Sequence, residues 1–564
     1  MKFSNYDYQR PSIESLTTQF ADLLGQFEAA PNAILQNKLL DEINDLRQSF
    51  FSMYNICYIR HTINTKDSFY EEENKFFDSA NPDFGALVNK YYRTLLASPF
   101  REELEERRGS QLFVIAELSL KTFEPAILED LKEENKLGSE YVKLKAAAKI
   151  EFEGKEYNLS GLIPLETGKD RDTREKASVA KWAYYQKHAE DFDELFDKMV
   201  KVRHEMAQKL GYKNYIELGY ARMLRSDYNA EMVANYRQQI LEHIVPLTQE
   251  LYKRQQKRLG LDTLFHHDEG FRFPSGNPIP KGSPDWIVEN ASTMYKELSG
   301  ETDEFFKFMV DNELMDLVNR EGKATGGYCT FVSEHEAPYI FSNFNGTSGD
   351  IDVLTHEAGH AFQVYSSRKL GLKEYNWPTY EACEIHSMSM EFFTWPWMEL
   401  FFKEDTMKYK FSHLTAALKF LPYGVAVDEF QHYVYENPEV SPVERNQKWK
   451  EIEKKYLPHR DYNGNSFLEE GRFWQRQNHI FTMPFYYIDY TLAQVCAFQF
   501  WKRDQEDHKE AWSSYVNLCK AGGSKPFLEL VKLAGLKSPF EEGCVADVVA
   551  PIKAWLDQVD DTSF

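Results

Sequence analysis

Two histidines four residues apart flank a glutamate in the run His356-Glu357-Ala358-Gly359-His360. On a helix, side chains at i and i+4 leave one face about one turn apart, so both imidazoles could reach a single metal ion at about 2.0–2.1 Å. Glu357 lies about 100° further round the same helix, placed to take a proton from water rather than to act as a ligand. The spacing is that of a zinc-dependent, water-activating site.

Such chemistry needs a helix to carry it, and the flanking residues supply one. Ser348-Gly349-Asp350 reads as a turn and helix start, and Ile351, Leu354, Ala358, Ala361, Phe362 and Tyr365 recur at helical spacing. Arg368, Lys369 and Gly371 signal the end. A catalytic zinc takes a third protein ligand. Downstream, Trp377-Pro378-Thr379 reads as another helix start and Pro396 as its end, with Glu381, Glu384, His386 and Glu391 between them. Glu384 and Glu391 share a face seven residues apart, which suits one ligand and one carboxylate orienting a histidine. Spacing alone leaves Glu381 and His386 open as rivals to Glu384. His204-Glu205 has Gln208 where a second histidine would stand, so it is not a second such site.

At 564 residues the chain exceeds the usual size of one hydrophobic core, and two or more subdomains are expected. Its formal net charge of −23 argues against nucleic acid and anionic membrane surfaces, which select basic patches. Cys57, Cys329, Cys383, Cys496, Cys519 and Cys544 show no paired spacing, the usage of a reducing compartment, so a cytoplasmic location is expected. No apolar signal core follows Met1, and the apolar stretch Ile480 to Trp501 is interrupted by Pro484, Asp489, Gln494 and Gln499, which favours a buried helix over a membrane span.

The remainder positions the motif. Residues 1 to about 140 read as amphipathic helices, and Ile150 to Leu159 as a short hairpin turning near Glu153-Gly154. Helix returns from Asp172 to about Leu259, and a loop rich in Gly and Pro spans Phe265 to Trp286. Gly326 to Val332 and Ala337 to Phe344 read as two strands around Ser333 to Glu336, an edge on which an extended peptide could pair. After Pro396 the chain reads as helix almost throughout.

With Glu384-Ile385-His386-Ser387-Met388-Ser389-Met390-Glu391, His479 and the cluster Phe485-Tyr486-Tyr487-Ile488-Asp489-Tyr490 added to the histidine motif, the chain resembles the thimet oligopeptidase and oligoendopeptidase F family, most of all its bacterial oligoendopeptidase F and Pz-peptidase branch. The resemblance implies a mainly α, elongated, multi-helical zincin-like fold with a small β-sheet beside the active-site helix and a deep central channel. It implies residues 1–200 as a helical region forming one channel wall, and 201–564 as the catalytic region. It implies one Zn²⁺ per chain held by His356, His360 and Glu384, the last opening an E-x-x-S-x-x-M-E run. It also implies that His479 and tyrosines steady the oxyanion: Tyr490 matches directly, while Tyr486 and Tyr487 both remain candidates for its companion.

The expected activity is endopeptidase cleavage of short, unstructured peptides, with Glu357 as general base and later proton donor to the leaving amine. Cys383 lacks an identifiable base and reads as a packed thiol. A zinc exopeptidase would need an anchor for a free terminus, and cleavage of a peptide blocked at both ends separates the two. A non-catalytic peptide-binding protein with structural zinc would have no use for Glu357.

Overall fold

The computed structural model describes residues 1–564. Helices dominate, as the 3.6-residue periodicity requires, and no helix is long and apolar enough to cross a membrane. The chain divides into two compact units, each assembled from three stretches: Met1–Leu120, Ile279–Thr406 and Cys496–Leu536 in the first, and Lys121–Pro278, Met407–Val495 and Lys537–Phe564 in the second. The boundary at residue 200 is a division of the sequence, and the units follow another course.

In the first unit, helices Ile13–Ala29, Ala33–Ile63 and Ser68–Leu96 bury one apolar stripe each around Phe20, Phe50, Phe77 and Phe84. Phe50 and Phe84 stack with centroids 3.9 Å apart. Caps close the helix starts: Asn32 Oδ1 accepts from the Leu35 amide at 2.9 Å. Two buried contacts tie this layer to residues beyond 370. Arg47 Nη2 pairs with Glu374 Oε1 at 2.6 Å, and Asn44 Nδ2 donates to the Gly371 carbonyl.

The same unit holds a three-stranded sheet with Ala337–Phe344 at its centre, antiparallel to Tyr328–Val332 and parallel to Met315–Val318. The antiparallel pair runs from Tyr328↔Phe341 to Val332↔Ala337, around the expected turn. Met315–Val318 is an additional strand. Asp350 then closes the passage from sheet to helix: its carboxylate accepts from the Asn345 and Gly346 amides, each at 2.8 Å. The helix that follows is Gly349–Ser367, carrying the histidine motif. The next long one is Tyr380–Phe393, which begins after Pro378 rather than on it.

The second unit packs Leu128–Ala146, Ala189–Lys209 and Tyr215–Arg222 with most of the 31-residue helix Thr406–Glu436. Trp182, Trp449 and Trp474 are fully buried in it. Ile150–Phe152 and Lys155–Tyr157 form the expected hairpin. Its turn residues Glu153 and Gly154 both have positive φ, at 49° and 78°, the combination a two-residue turn needs to match strand twist.

Candidate active site

The helix Gly349–Ser367 packs against the sheet and against the helix Tyr380–Phe393. How closely the two helices approach is decided by Gly359. A Cβ there would stand 2.6 Å from Ser387 Cα and 2.7 Å from the His386 carbonyl oxygen, so only glycine admits this approach. The approach brings Glu384 Oε2 to 3.2 Å from His356 Nε2 and 3.5 Å from His360 Nε2. The candidate ligand atoms of His356, His360 and Glu384 all lie within 4.8 Å of one another. Two imidazoles and a carboxylate converging this closely match the donor set of a catalytic zinc site.

The surrounding groups orient these three. Glu391 Oε1 lies 2.7 Å from His356 Nδ1, placed to accept its proton and orient the ring so that Nε2 can serve as a metal ligand. Ser387 Oγ donates to Glu384 Oε2 at 3.0 Å. Tyr515 Oη, on the helix His508–Ala521, donates to the His386 carbonyl at 2.8 Å and braces the Glu384 helix from behind. Burial opposes ionisation of Glu384, but His360 and His356 outweigh it and hold its carboxyl well below the usual range. Neither rival belongs to the group. Glu381 is fully buried outside it, and burial drives the enclosed His386 imidazole down to about 3, keeping it neutral.

Glu357 is 8% exposed, and burial raises its carboxyl above the ordinary value, with His360 and His356 partly offsetting the shift. Its Oε2 is buried with no partner in the protein, an arrangement that costs free energy unless the oxygen serves a bound group. This orphaned carboxylate oxygen beside a converged two-histidine, one-carboxylate set fits a metal with a water to be deprotonated. Cys383 donates to the Pro378 carbonyl at 3.4 Å, the behaviour of a packed thiol. Cys329 lies near Glu357, and burial pushes its thiol well up, away from reactivity.

A second group assembles within the second unit. The ring of His479 lies 5.5, 5.0 and 5.8 Å from those of Tyr486, Tyr487 and Tyr490, centroid to centroid. Tyr486 and Tyr490 are 4.8 Å apart, and Tyr487 and Tyr490 are 5.8 Å apart. Tyr487 also meets Phe420 and Tyr423, at 5.6 and 5.8 Å, and burial pushes its hydroxyl far up. The turn before the helix Tyr487–Glu506 holds Phe485 at φ 68°, a left-handed conformation unusual for an aromatic residue. Three residues remote in sequence hold it there. Arg225 Nη2 donates to the Phe485 carbonyl at 2.6 Å and pairs with buried Asp489, while Gln431 Oε1 accepts from the Phe485 amide at 3.3 Å. Gly219 leaves room for the ring, which a Cβ would meet at 2.7 Å. Arg225, Gln431 and Gly219 carry no motif, and sequence reasoning did not single them out.

A helix-borne His-Glu-x-x-His joined by a glutamate from the neighbouring helix defines a metal-dependent hydrolase centre. Comparison with known proteins places it more closely. Residues 3–123 match the peptidase M3 N-terminal domain, and residues 299–549 match peptidase family M3. The chain is similar to a solved structure of Pz peptidase A with an inhibitor, at 61% identity and a TM-score of 0.95 over all of both chains. A putative oligoendopeptidase F from Bacillus anthracis is 58% identical, with a TM-score of 0.91, over 100% of this chain and 99% of that one. An oligoendopeptidase F homolog of Borreliella burgdorferi is 24% identical over 65% of this chain and 62% of its own length. The chain belongs to peptidase family M3, in the oligoendopeptidase F and Pz-peptidase branch. It is a metalloendopeptidase acting on oligopeptides.

Proposed function

We propose that the chain hydrolyses internal bonds of short, unstructured peptides with one zinc ion held by His356, His360 and Glu384. The observation that carries this reading is the convergence of those three donors within 4.8 Å, with Glu391 fixing the His356 ring. Zinc bound there would supply Lewis acidity, lowering the pKa of a coordinated water toward about 7 and polarising the peptide carbonyl.

The chain's own residues do the rest. Glu357, an ionisable carboxylate with a buried oxygen to spare, takes the proton of the attacking water and passes it to the leaving amine. His479, Tyr486 and Tyr490 are proposed as donors to the carbonyl oxygen as negative charge develops on it, a role supported by the family pattern and by the mutual contact of their rings. An edge strand at Tyr328–Val332 suits main-chain pairing with an extended substrate. No disulfide joins any of the six cysteines, which suits a cytoplasmic enzyme.

Treatment with a chelator followed by zinc, assayed on a fluorogenic peptide blocked at both ends, tests the reading. Activity should vanish and return with about one zinc per chain. Cleavage that persists in metal-free protein, or that requires a free terminus, would overturn it.

A further inference from the structure

His479 stands in the segment Gln475 to Phe481, whose backbone is tied down from outside the motif. Tyr141 Oη donates to the Gln475 carbonyl at 3.0 Å, Lys145 Nζ to the Arg476 carbonyl at 2.8 Å, and Arg203 Nη2 to the Phe481 carbonyl at 2.5 Å. On this fixed backbone the side chains form a directed chain. Gln477 Nε2 lies 2.8 Å from His479 Nδ1, and Tyr423 Oη lies 2.9 Å from Gln477 Oε1.

The two ends of the Gln477 amide differ only in donor and acceptor character, and its neighbours decide which end faces which. Tyr423 Oη donates to Gln477 Oε1, and the Arg476 guanidinium, which can only donate, lies over the Tyr423 ring, its Cζ 5.7 Å from the centroid. Tyr423 is 7% exposed, and its one proton needs an acceptor within the protein. Gln477 Oε1 is that acceptor. The reversed amide would set an NH₂ against the phenol and take the acceptor away from its proton. The Gln477 NH₂ therefore faces His479, and a ring nitrogen that accepts a hydrogen bond carries no proton.

We propose that Gln477 is a positioning residue which, held by Tyr423, fixes neutral His479 as the tautomer protonated on Nε2. That nitrogen is then always a donor, which is what a group stabilising a developing oxyanion must be. The consequence for catalysis rests on the proposed role of His479; the tautomer itself does not. The rings of Tyr486, Tyr487 and Tyr490 also pack around that of His479.

The direct test is ¹⁵N NMR of the full-length, zinc-loaded enzyme labelled at histidine nitrogens, with His479 identified by its loss in a His479→Gln variant. Near neutral pH, His479 should show a protonated Nε2 and an unprotonated Nδ1; a proton on Nδ1, or on both nitrogens, overturns the proposal. Gln477→Glu provides the kinetic counterpart. It keeps the shape but accepts rather than donates at Nδ1, so only the imidazolium form would still donate from Nε2. Its kcat should fall as pH rises through the imidazolium pKa, a limb the wild type lacks, and Tyr423→Phe should lower kcat about tenfold with less change in KM. A Gln477→Glu profile superimposable on wild type would contradict the relay. An unchanged kcat in His479→Gln would instead sink the donor role, leaving the NMR result to stand by itself.

Discussion

At position 359 a single methyl group would separate two helices. With a Cβ only 2.6 Å from Ser387 Cα, neither backbone can yield locally, so Gly359→Ala should push the Glu384 helix away from both histidines. The expected outcome is zinc content after dialysis well below that of wild type, with helical circular dichroism retained; full zinc occupancy would refute this role. Tyrosine hydroxyls are tested with equal economy. Tyr490→Phe keeps the ring and its packing, so an oxyanion donor should lose about 10²–10³-fold in kcat and a packing residue almost nothing. Measuring Tyr486→Phe and Tyr487→Phe beside it identifies the partner, and Tyr487 is expected to be the silent one because its ring packs against both Phe420 and Tyr423. His356, Glu357 and His360 were readable from sequence because their relation is local, one helical turn. Ser387 as a donor to Glu384, and Gly359 as a spacer, depend on which helix lies opposite, and no periodicity encodes that.

Among the elements, the turn ahead of the tyrosine helix stores conformational strain. Phe485 in the left-handed region costs on the order of 1–3 kcal/mol, sustained by Arg225, Gln431 and the space over Gly219. Gly219→Ala should displace the Phe485 ring and with it the start of the Tyr487–Glu506 helix. A displacement of about 1 Å can cost about 10²-fold, so kcat should fall by about 10- to 10²-fold while zinc content stays at the wild-type level. An unchanged kcat would show that the turn tolerates the shift. Periodicity located the histidine helix, the hairpin at Ile150–Tyr157 and the antiparallel strand pair, since each satisfies its hydrogen bonds with near neighbours. The strand Met315–Val318 escaped it, being four residues long and parallel to a partner more than twenty residues away. Phe485 escaped too, because an aromatic residue carries no signal for positive φ.

For the whole molecule, the stretches of the two units alternate along the sequence, and no single cut of the sequence can draw them. Contacts such as Arg47 with Glu374 join residues 327 apart, and composition leaves no trace of them. Acid stability is a property at this scale. In the second unit, burial opposes ionisation of Glu134, but Arg203 and Arg222 outweigh it and hold the carboxyl at about 2. A folded-state pKa below the unfolded one adds stability that is fully present above the unfolded value of about 4.3 and is lost as pH falls toward about 2. Glu134→Gln should therefore lower Tm clearly at pH 7, and the gap from wild type should narrow steadily below pH about 4.3. Thermal scans across that range check it, and a gap independent of pH would contradict the assignment.

Central to catalysis is Glu357 serving as a base beside a metal that it does not hold. Glu357→Gln preserves shape and leaves His356, His360 and Glu384 untouched, so zinc content and kcat/KM measured on the same preparation separate the two functions. The predicted result is about one zinc per chain with activity reduced about 10²-fold or more. A zinc-loaded Glu357→Gln enzyme with wild-type activity would contradict the mechanism at its centre.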